Sequence, residues 1–257
     1  MIAGADEDRH RVGDDAVADY ALAPDVALVV IESGDGCVVD LSGSFYSLSP
    51  VATAMLRDIV TVGRDVAVTR SAGRYGVEEA RIAADLDSFL GDMERRGLLQ
   101  SPRPRRRPGV RRMLAPAIAG LALGALRLAR SQRGRARIAL TLARLSFLVA
   151  GWNATVKAWR RRLPAAQGGV ARLSEQSARA IDEAVRHAAA GHVMNVDCKE
   201  RALACFALAR LTGLPATLVV GIDFYPLAGH SWCETGSSVI GDEEAHCRRF
   251  TPAFRLS

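Results

Sequence analysis

The sequence predicts an α+β protein with two domains, and three observations support this prediction. A segment rich in proline and arginine, residues 100–109, separates two stretches of different character. Before it, short β-branched runs are followed by segments with helical periodicity. After it come long helical stretches rich in alanine and leucine, and then strand-like runs near the C-terminus. We therefore expect a small winged-helix-like domain, followed by a larger domain with a helical first part.

The composition is that of a folded protein of 257 residues, with 49% hydrophobic and 24% charged residues. The formal charge of +6 comes almost entirely from arginine, since the only lysines are Lys157 and Lys199. Enrichment in arginine and alanine is typical of GC-rich genomes, so the charge carries little functional weight. The chain is long enough for two small domains.

The cysteines indicate a thiol-reduced protein. There are five, an odd number, and no pair has the C-x-x-C spacing of a zinc or redox site. The polar, acidic N-terminus lacks the apolar core of a signal peptide, which favours a cytoplasmic location. Residues 113–126 are apolar but fall short of the about 20 residues that a membrane span needs. We predict no metal site and no membrane span.

Residues 1–24 are expected to form a flexible tail, and residues 25–100 the first domain. Ser49-Pro50 is typical of an N-cap and a first helical residue, and Gly97 of a residue that ends a helix. Helices are predicted from Pro50 to about Val60 and from Val77 to Arg96. The predicted strands are Val26–Ile31, Cys37–Leu41, Ser44–Leu48 and a short closing strand at Leu98-Leu99.

Residues 101–112 are predicted to be a linker, because closely spaced prolines forbid a continuous helix and the arginines keep the segment solvated. A nucleic-acid contact is the alternative interpretation of these arginines, although no aromatic residues lie among them. The second domain would span residues 113–257. It is expected to begin with the helices Met113–Ala129, Ala136–Trp159 and Ser174–Ala190.

Cys198 is the candidate nucleophile. It falls in the first turn of a predicted helix that Asn195 or Asp197 caps and Gly213 ends. A thiol at a helix N-terminus lies beside unsatisfied N–H groups and the positive end of the helix dipole, both of which favour the reactive thiolate. Cys205, seven residues further along the same helix, is interpreted as a small buried side chain.

His230 and Asp242 are the candidate base and the residue that orients it. A strand is expected at Ala216–Ile222, then a loop through Pro226 and Gly229, and then a hairpin whose turn includes Thr235–Ser238. A turn centred on residues 236 and 237 places Asp242 opposite Ser231, and a shift of one residue would pair it with His230. Facing residues have Cβ atoms about 4.5–5.5 Å apart, close enough for a carboxylate to orient an imidazole.

Several residues compete for these two roles. Strand alternation places Glu234 on the same face as His230 and Trp232, so Glu234 is an alternative partner for the histidine. Glu243 and Glu244 are further candidates for the carboxylate. The histidines that compete for the base are His187, His192 and His246, none of which follows a strand in this way.

The first domain contains the stretches "DLSGSFYSLSPVATAMLRDI" and "ARIAADLDSFLGDMERRGLL", and with them it resembles the PqqD-like leader-recognition domains of ribosomal peptide modification systems. The resemblance covers residues 26–100 and implies that an extended leader peptide adds a strand to a sheet edge beside a helix. The expected groove residues are Phe45, Tyr46, Leu48, Leu86, Leu90 and Met93. The alternatives are that these side chains fill the domain core, and that the winged helix binds DNA.

The second domain has the order of a transglutaminase-like or papain-like protease: cysteine on a helix, then histidine and aspartate on following strands. "CKERALA" at 198–204, "GLPATLVVGI" at 213–222, "HSWCE" at 230–234 and "FTP" at 250–252 resemble the lasso peptide B proteins, in their fused form. That resemblance implies a cytoplasmic leader peptidase with Cys198, His230 and Asp242 as its triad. It also implies a partner, an asparagine-synthetase-like cyclase, through which activity could depend on ATP. No cofactor is expected to bind this chain.

The backbone N–H of Cys198 is the expected oxyanion donor, and the sequence identifies no second one. Two other functions use the same residues differently. In a transglutaminase-type acyl transfer, an amine would replace water as the acceptor. In a binding protein, the winged helix and the arginine-rich segment would bind peptide or DNA, and the cysteine domain would be inert.

Overall fold

The structure is a computed structural model that describes residues 19–23, 26–31, 33–41, 44–100, 110–165, 171–236 and 238–257. The chain divides into two compact units, residues 1–107 and 108–257, which we describe separately. Residues 1–18 of the predicted tail and residues 101–109 of the predicted linker lie outside the described residues.

The N-terminal unit combines a three-stranded antiparallel sheet with three helices. Val38 pairs with Leu28 on one side and with Tyr46 on the other, so the central strand is the second of the three. A separate two-stranded sheet joins the first and last strands of the unit. The elements are β1 (Ala21–Leu22), β2 (Val26–Val30), β3 (Gly36–Asp40), β4 (Ser44–Leu48), α1 (Pro50–Val62), α2 (Arg64–Tyr75), α3 (Glu79–Arg95) and β5 (Leu99–Gln100).

Local signals fix the ends of these helices. The Ser49 side chain accepts a hydrogen bond from the N–H of Ala52 at 3.3 Å, which confirms the predicted N-cap of α1. Gly97 adopts a φ of 72° just after α3, as expected of a residue that ends a helix. Helix α2 was not predicted: it follows α1 after Gly63 alone. Strand β1 lies within the stretch predicted to be a flexible tail, and it is β1 that the closing strand β5 joins.

The C-terminal unit begins with five helices: α4 (Val110–Leu128), α5 (Gln132–Ala150), α6 (Trp152–Arg162), α7 (Ala171–Ala190) and α8 (Cys198–Leu211). The prediction of one helix over residues 136–159 was wrong, because Gly151, with a φ of 76°, ends α5 and begins α6. Helix α8 packs against α5, α7 and the sheet. It is buried on all sides over residues 202–209, as expected of a central core helix.

A four-stranded antiparallel sheet in the order β8-β7-β6-β9 completes this unit. Its strands are β6 (Thr217–Phe224), β7 (Leu227–Thr235), β8 (Ser238–Ile240) and β9 (Thr251–Leu256), with the short helix α9 (Glu244–Cys247) before β9. The expected loop through Pro226 and Gly229 is instead a tight turn at Tyr225-Pro226, after which β7 starts at once. Among the described residues, no helix is both long and apolar enough to cross a membrane.

Candidate active site

Cys198 is the first residue of α8, where the sequence placed it. Asp197 is the N-cap residue, and its N–H donates to Oε2 of Glu200 at 3.0 Å. Glu200 is fully buried, and its other oxygen lies 3.0 Å from Nη1 of Arg144 on α5. The start of α8 is therefore fixed by a buried carboxylate, and the thiol lies at the positive end of the helix.

The environment of the Cys198 thiol favours its ionised form. Burial raises the pKa of this thiol, but a hydrogen bond with the His230 side chain, the charge of that ring, the N–H of Ser231 and the charge of Arg201 together lower the pKa below its ordinary value. The other four cysteines are buried and their pKa values are raised, that of Cys247 to about 12. Cys198 is thus the one cysteine whose surroundings suit a nucleophile.

His230 lies on β7 between the thiol and a carboxylate, and the residue is 7% exposed. Its Nε2 atom lies 3.0 Å from Oδ2 of Asp242, which leaves Nδ1 for the hydrogen bond with Cys198. Burial lowers the pKa of His230, but the hydrogen bonds with Asp242 and Cys198 outweigh it and raise the pKa to about 9. Phe250 stacks on the ring at 5.0 Å and His246 meets it edge-on at 4.7 Å, which restricts its rotation.

Asp242 reaches His230 from beyond the hairpin rather than across it. Cys233 pairs with Ile240, a register centred on residues 236 and 237, so the hairpin needs no shift by one residue. Strand β8 ends at Ile240, and Gly241 then turns the chain with a φ of 80°. Burial raises the pKa of Asp242, but the hydrogen bonds from His230 and from the N–H of Glu243, with the charge of Arg201, lower it to about 2.

The competing residues lie elsewhere. Glu234 accepts a hydrogen bond from Nε1 of Trp232 at 2.8 Å and pairs with Arg255, so its carboxylate has other partners. Glu243 and Glu244 are exposed. His192 contacts the hydroxyl of Thr141 at 3.1 Å, and His187 is exposed on α7. His246 packs edge-on against the ring of His230, which is the histidine that contacts Asp242.

Three side chains around Asp242 were not predicted. Arg201 on α8 lies 3.0 Å from Oδ2 of Asp242. Asp182 on α7 accepts the N–H of Gly241 at 2.7 Å, and Arg186 donates to the main-chain carbonyl of Asp242. The motif C-x-x-R gave a signal for Arg201, which follows Cys198 by one helical turn. Nothing in the sequence connects α7 with a loop that is more than fifty residues away.

His230, Asp242 and Cys247 bring three ligand-type atoms within 4.8 Å of one another. The surroundings do not suit a cation, because the guanidinium of Arg201 already occupies Oδ2 of Asp242. The thiol of Cys247, with its pKa raised to about 12, holds its proton and is a weak ligand. The geometry fits a hydrogen-bonded Cys–His–Asp series better than a metal centre.

Comparison with known protein families agrees with this geometry. The family model described as the transglutaminase-like superfamily matches residues 98–255, more than half of the chain. The chain belongs to the transglutaminase-like superfamily. A second model, described as coenzyme PQQ synthesis protein D (PqqD), matches residues 26–99, the region of the N-terminal unit. No curated protein and no solved structure matches the chain.

In this member of the transglutaminase-like superfamily, the six residues predicted to line a groove in the PqqD-like unit lie mostly in its core. Leu48, Leu86, Leu90 and Met93 are at most 8% exposed. These four side chains fill the core of the unit, as the alternative interpretation of the sequence had it. Tyr46 is half-buried against the same core, with the guanidinium of Arg96 5.4 Å from its ring centroid. Phe45, the residue before Tyr46 on β4, is also half-buried.

Proposed function

We propose that the protein is a leader peptidase of lasso peptide biosynthesis, which binds the leader of a ribosomally made precursor and cleaves the bond between leader and core. The observation that carries this proposal is the position of His230, between a thiol whose pKa is lowered and a carboxylate. The presence of a PqqD-like unit on the same chain supports a peptide substrate. Free cysteines suit a reducing compartment, and we propose the cytoplasm.

Each member of the triad has a proposed catalytic role. The thiolate of Cys198 attacks the scissile carbonyl carbon, and the backbone N–H of Cys198, at the N-terminus of α8, is the proposed oxyanion donor. The imidazolium of His230 gives its proton to the leaving amine, which breaks the peptide bond and leaves a thioester. Water then attacks the thioester while His230 takes its proton, and the leader leaves as a carboxylic acid. Asp242 keeps the ring oriented through both steps.

Leader binding would use an open edge of the three-stranded sheet. In the order β2-β3-β4, the outer strands β2 and β4 have no further partner among the described residues. An extended peptide can pair with such an edge, and side chains beside the edge provide specificity. Phe45 and Tyr46 on β4, which are half-buried, are better placed for this contact than the four buried residues. The freed amine of the core would pass to an asparagine-synthetase-like cyclase, through which ATP dependence would arise.

The test uses the full chain and the precursor peptide encoded beside its gene, with and without the neighbouring cyclase. Mass spectrometry should detect two fragments whose masses sum to that of the precursor plus one water. Cys198→Ala and His230→Ala should abolish cleavage, while Cys198→Ala should bind the leader as tightly as the wild type in a fluorescence polarisation titration. Cleavage at the normal rate by either variant would rule out the proposed chemistry.

Transglutaminase-type acyl transfer is the second candidate, because the superfamily to which the chain belongs is defined by that name. The same thioester would react with an amine instead of water. Cleavage in ¹⁸O-labelled water with added methylamine separates the two reactions: hydrolysis labels the new leader carboxyl group with ¹⁸O, and transfer gives a methylamide.

Binding to duplex DNA, the non-catalytic alternative, is tested by an electrophoretic shift. A salt-sensitive shift without leader affinity would favour this alternative.

A further inference from the structure

The side chain of Arg201 connects helix α8, which carries Cys198, to the loop that carries Asp242. Arg201 follows Cys198 by three residues on α8, so both side chains extend from the first two turns of the helix. Its Nη2 atom lies 3.0 Å from Oδ2 of Asp242. That oxygen is the one that lies 3.0 Å from Nε2 of His230. Arginine and histidine thus share one oxygen of the carboxylate.

The other contacts of Asp242 show what Arg201 adds. Oδ1 of Asp242 accepts the N–H of Glu243 at 2.8 Å, and this contact comes from the adjacent residue of the same loop. Arg186 and Asp182 bind the main chain at positions 242 and 241 and leave the carboxylate unrestrained. Among the described residues, Arg201 and His230 are the side chains that form an ion pair or a hydrogen bond with Oδ2. Rotation of the carboxylate away from the ring would break this ion pair.

The Nε atom of Arg201 supports the same view. It is buried and has no hydrogen-bond partner among the described residues. A buried donor without a partner costs free energy, and an arginine that served only solubility would turn it towards water. The guanidinium nevertheless lies against Asp242, whose side chain is 10% exposed. The side chain of Arg201 thus forms the ion pair with Asp242 while its Nε atom stays unpaired.

We propose that Arg201 is a positioning residue, which holds the carboxylate of Asp242 in the orientation that aligns His230 with Cys198. The proposal rests on the proposed function only for its kinetic test. Arginine suits this role because its charge does not titrate in the working pH range. Its charge also lies close enough to the thiol to favour the thiolate.

Several other titratable or charged groups face the Asp242 loop and contribute to any titration measured there. Asp182 and Arg186 face the Asp242 loop from α7, and Cys205 lies beneath Gly241 on α8. His246 and Cys247 face it from α9, and Glu243 follows Asp242 directly. Each of these groups is unchanged in the variants below, so a shift between variants reports the loss of Arg201 alone.

The first experiment needs no peptide. Iodoacetamide alkylates the thiolate of Cys198, and its rate as a function of pH gives the titration of that thiol in the wild type, Arg201→Gln and Arg201→Lys. Cys198→Ala provides the blank for the four buried cysteines, and Arg248→Gln is the matched control, an exposed arginine that pairs with Glu244. The midpoint should move to higher pH in Arg201→Gln and return towards the wild-type value in Arg201→Lys. An unchanged midpoint in Arg201→Gln would contradict the proposal.

The second experiment measures cleavage of the precursor. Because a small misplacement of a catalytic group can cost about 100-fold in rate, we expect kcat to fall about 10- to 100-fold in Arg201→Gln, with KM close to that of the wild type. Arg201→Lys should recover part of this loss. If Arg201 acts through Asp242, then Arg201→Gln should reduce kcat no further in an Asp242→Asn background. Additive losses in the double variant would overturn the positioning role.

The two experiments separate failure of this proposal from failure of the proposed function. A wild-type protein that cleaves no precursor would refute leader peptidase activity, yet the alkylation profile would still report whether Arg201 acts on the triad. Circular dichroism and thermal unfolding of each variant identify any loss of folding. Should Arg201→Gln unfold, Arg201→Met takes its place in both measurements. A wild-type alkylation midpoint together with a wild-type kcat in that variant would contradict the proposal.

Discussion

Nε2 of His230 lies 3.0 Å from Oδ2 of Asp242, although Asp242 belongs to the turn after β8 and not to the strand paired with β7. The contact selects which ring nitrogen is available to the thiol, since the nitrogen bound to the carboxylate carries a proton and Nδ1 remains for Cys198. It also explains why the ring can hold a proton at neutral pH, with its pKa raised to about 9. Asp242, rather than Glu234, is thus the carboxylate that contacts the ring of His230.

The first prediction compares these two carboxylates. Asp242→Asn keeps the shape of the side chain but removes the charge that holds the imidazolium and fixes its tautomer. We expect kcat for precursor cleavage to fall by about 100-fold or more, since the equivalent change in a serine protease triad costs about 10⁴-fold. Glu234→Gln is the matched control, because Glu234 lies on the same face of β7 but bonds Trp232 and Arg255. It should change kcat by no more than a few fold. Equal losses in both variants would show that Glu234 shares the role.

The second prediction concerns the pH dependence of cleavage. The pKa of the Cys198 thiol is lowered and that of His230 is raised to about 9, so thiolate and imidazolium coexist at neutral pH. Above that range His230 loses the proton that the leaving amine needs. We expect kcat/KM to fall with rising pH with a midpoint near 9, and to fall at low pH as the thiolate takes up a proton. The check is a profile from pH 4 to 11 with a substrate that has no titrating group of its own.

A corollary of the second prediction is that the free energy of unfolding should follow the titration of His230. His230 has a higher pKa in the folded protein than its ordinary value of 6.5, so the folded state binds this proton more tightly than the unfolded state does. Its contribution is fully present below pH 6.5 and is lost as the pH rises to about 9. Urea unfolding of the wild type and of His230→Gln should therefore differ most in the acidic part of this window. A difference that grew with pH would contradict the assigned direction.

The residues that could be predicted from the sequence are those whose signals are local. Cys198 follows a capping residue and begins an apolar segment that Gly213 ends, and Ser49-Pro50 marks the start of α1 by the same kind of local signal. The contact between His230 and Asp242 was harder to predict, because it depends on the turn at Gly241 after the three-residue strand β8. The turn residues indicated two alternative registers, of which the structure has the one centred on residues 236 and 237, and Asp242 lies past the end of the pairing.

Other features depend on tertiary structure that no local pattern encodes. The apolar residues of α5 and α6 follow one helical period, so the sequence predicted a single helix, whereas the structure has two helices separated at Gly151. Leu86 and Leu90 have the spacing of a helix face, but the spacing does not tell whether that face meets a core or a peptide. The structure buries them in the core. Asp182 and Arg186 form an ordinary i, i+4 pair in the sequence, and only folding brings them to the Asp242 loop.

The third prediction tests the glycine that turns the chain into that loop. Gly241 has a φ of 80°, and a Cβ atom added there would lie 2.3 Å from Sγ of Cys205. Gly236 has a φ of 60° and open space around its own added Cβ, so it is a control for backbone strain alone. Gly236→Ala should cost about 1 kcal/mol of unfolding free energy, a typical value for this conformation. Gly241→Ala should cost about 1–3 kcal/mol more because of the overlap with the sulfur.

The cause of that extra loss can be isolated. Cys205→Ala removes the sulfur that the new methyl group would meet, so Gly241→Ala should be less damaging in the Cys205→Ala background than in the wild type. The interaction free energy comes from urea unfolding of the two single variants, the double variant and the wild type. If the two substitutions are additive, the sulfur contact does not determine the requirement for glycine. Because Asp242 follows directly, Gly241→Ala should also lower kcat, which Gly236→Ala should not do.

The fourth prediction concerns the buried carboxylate at the start of the nucleophile helix. Glu200 is fully buried, bonds the N–H of Asp197 and pairs with Arg144 at 3.0 Å. Its removal leaves Arg144, which is 24% exposed and keeps a contact with Asp197 at 3.5 Å, without its closer partner. It also leaves the N–H of Asp197 without an acceptor, and losing hydrogen bonds to a charged group costs about 1.5–3 kcal/mol. We expect Glu200→Ala to lower the unfolding free energy by this amount, whereas Glu175→Ala, at an exposed ion pair on α7, should cost less than about 1 kcal/mol.

The double variant Arg144→Met with Glu200→Leu should recover much of the stability, because neither charge then remains buried. It should not recover catalysis fully, since the N–H of Asp197 loses its acceptor one residue before Cys198. Recovery of both stability and kcat in the double variant would show that Glu200 serves the fold alone and has no part in holding the nucleophile.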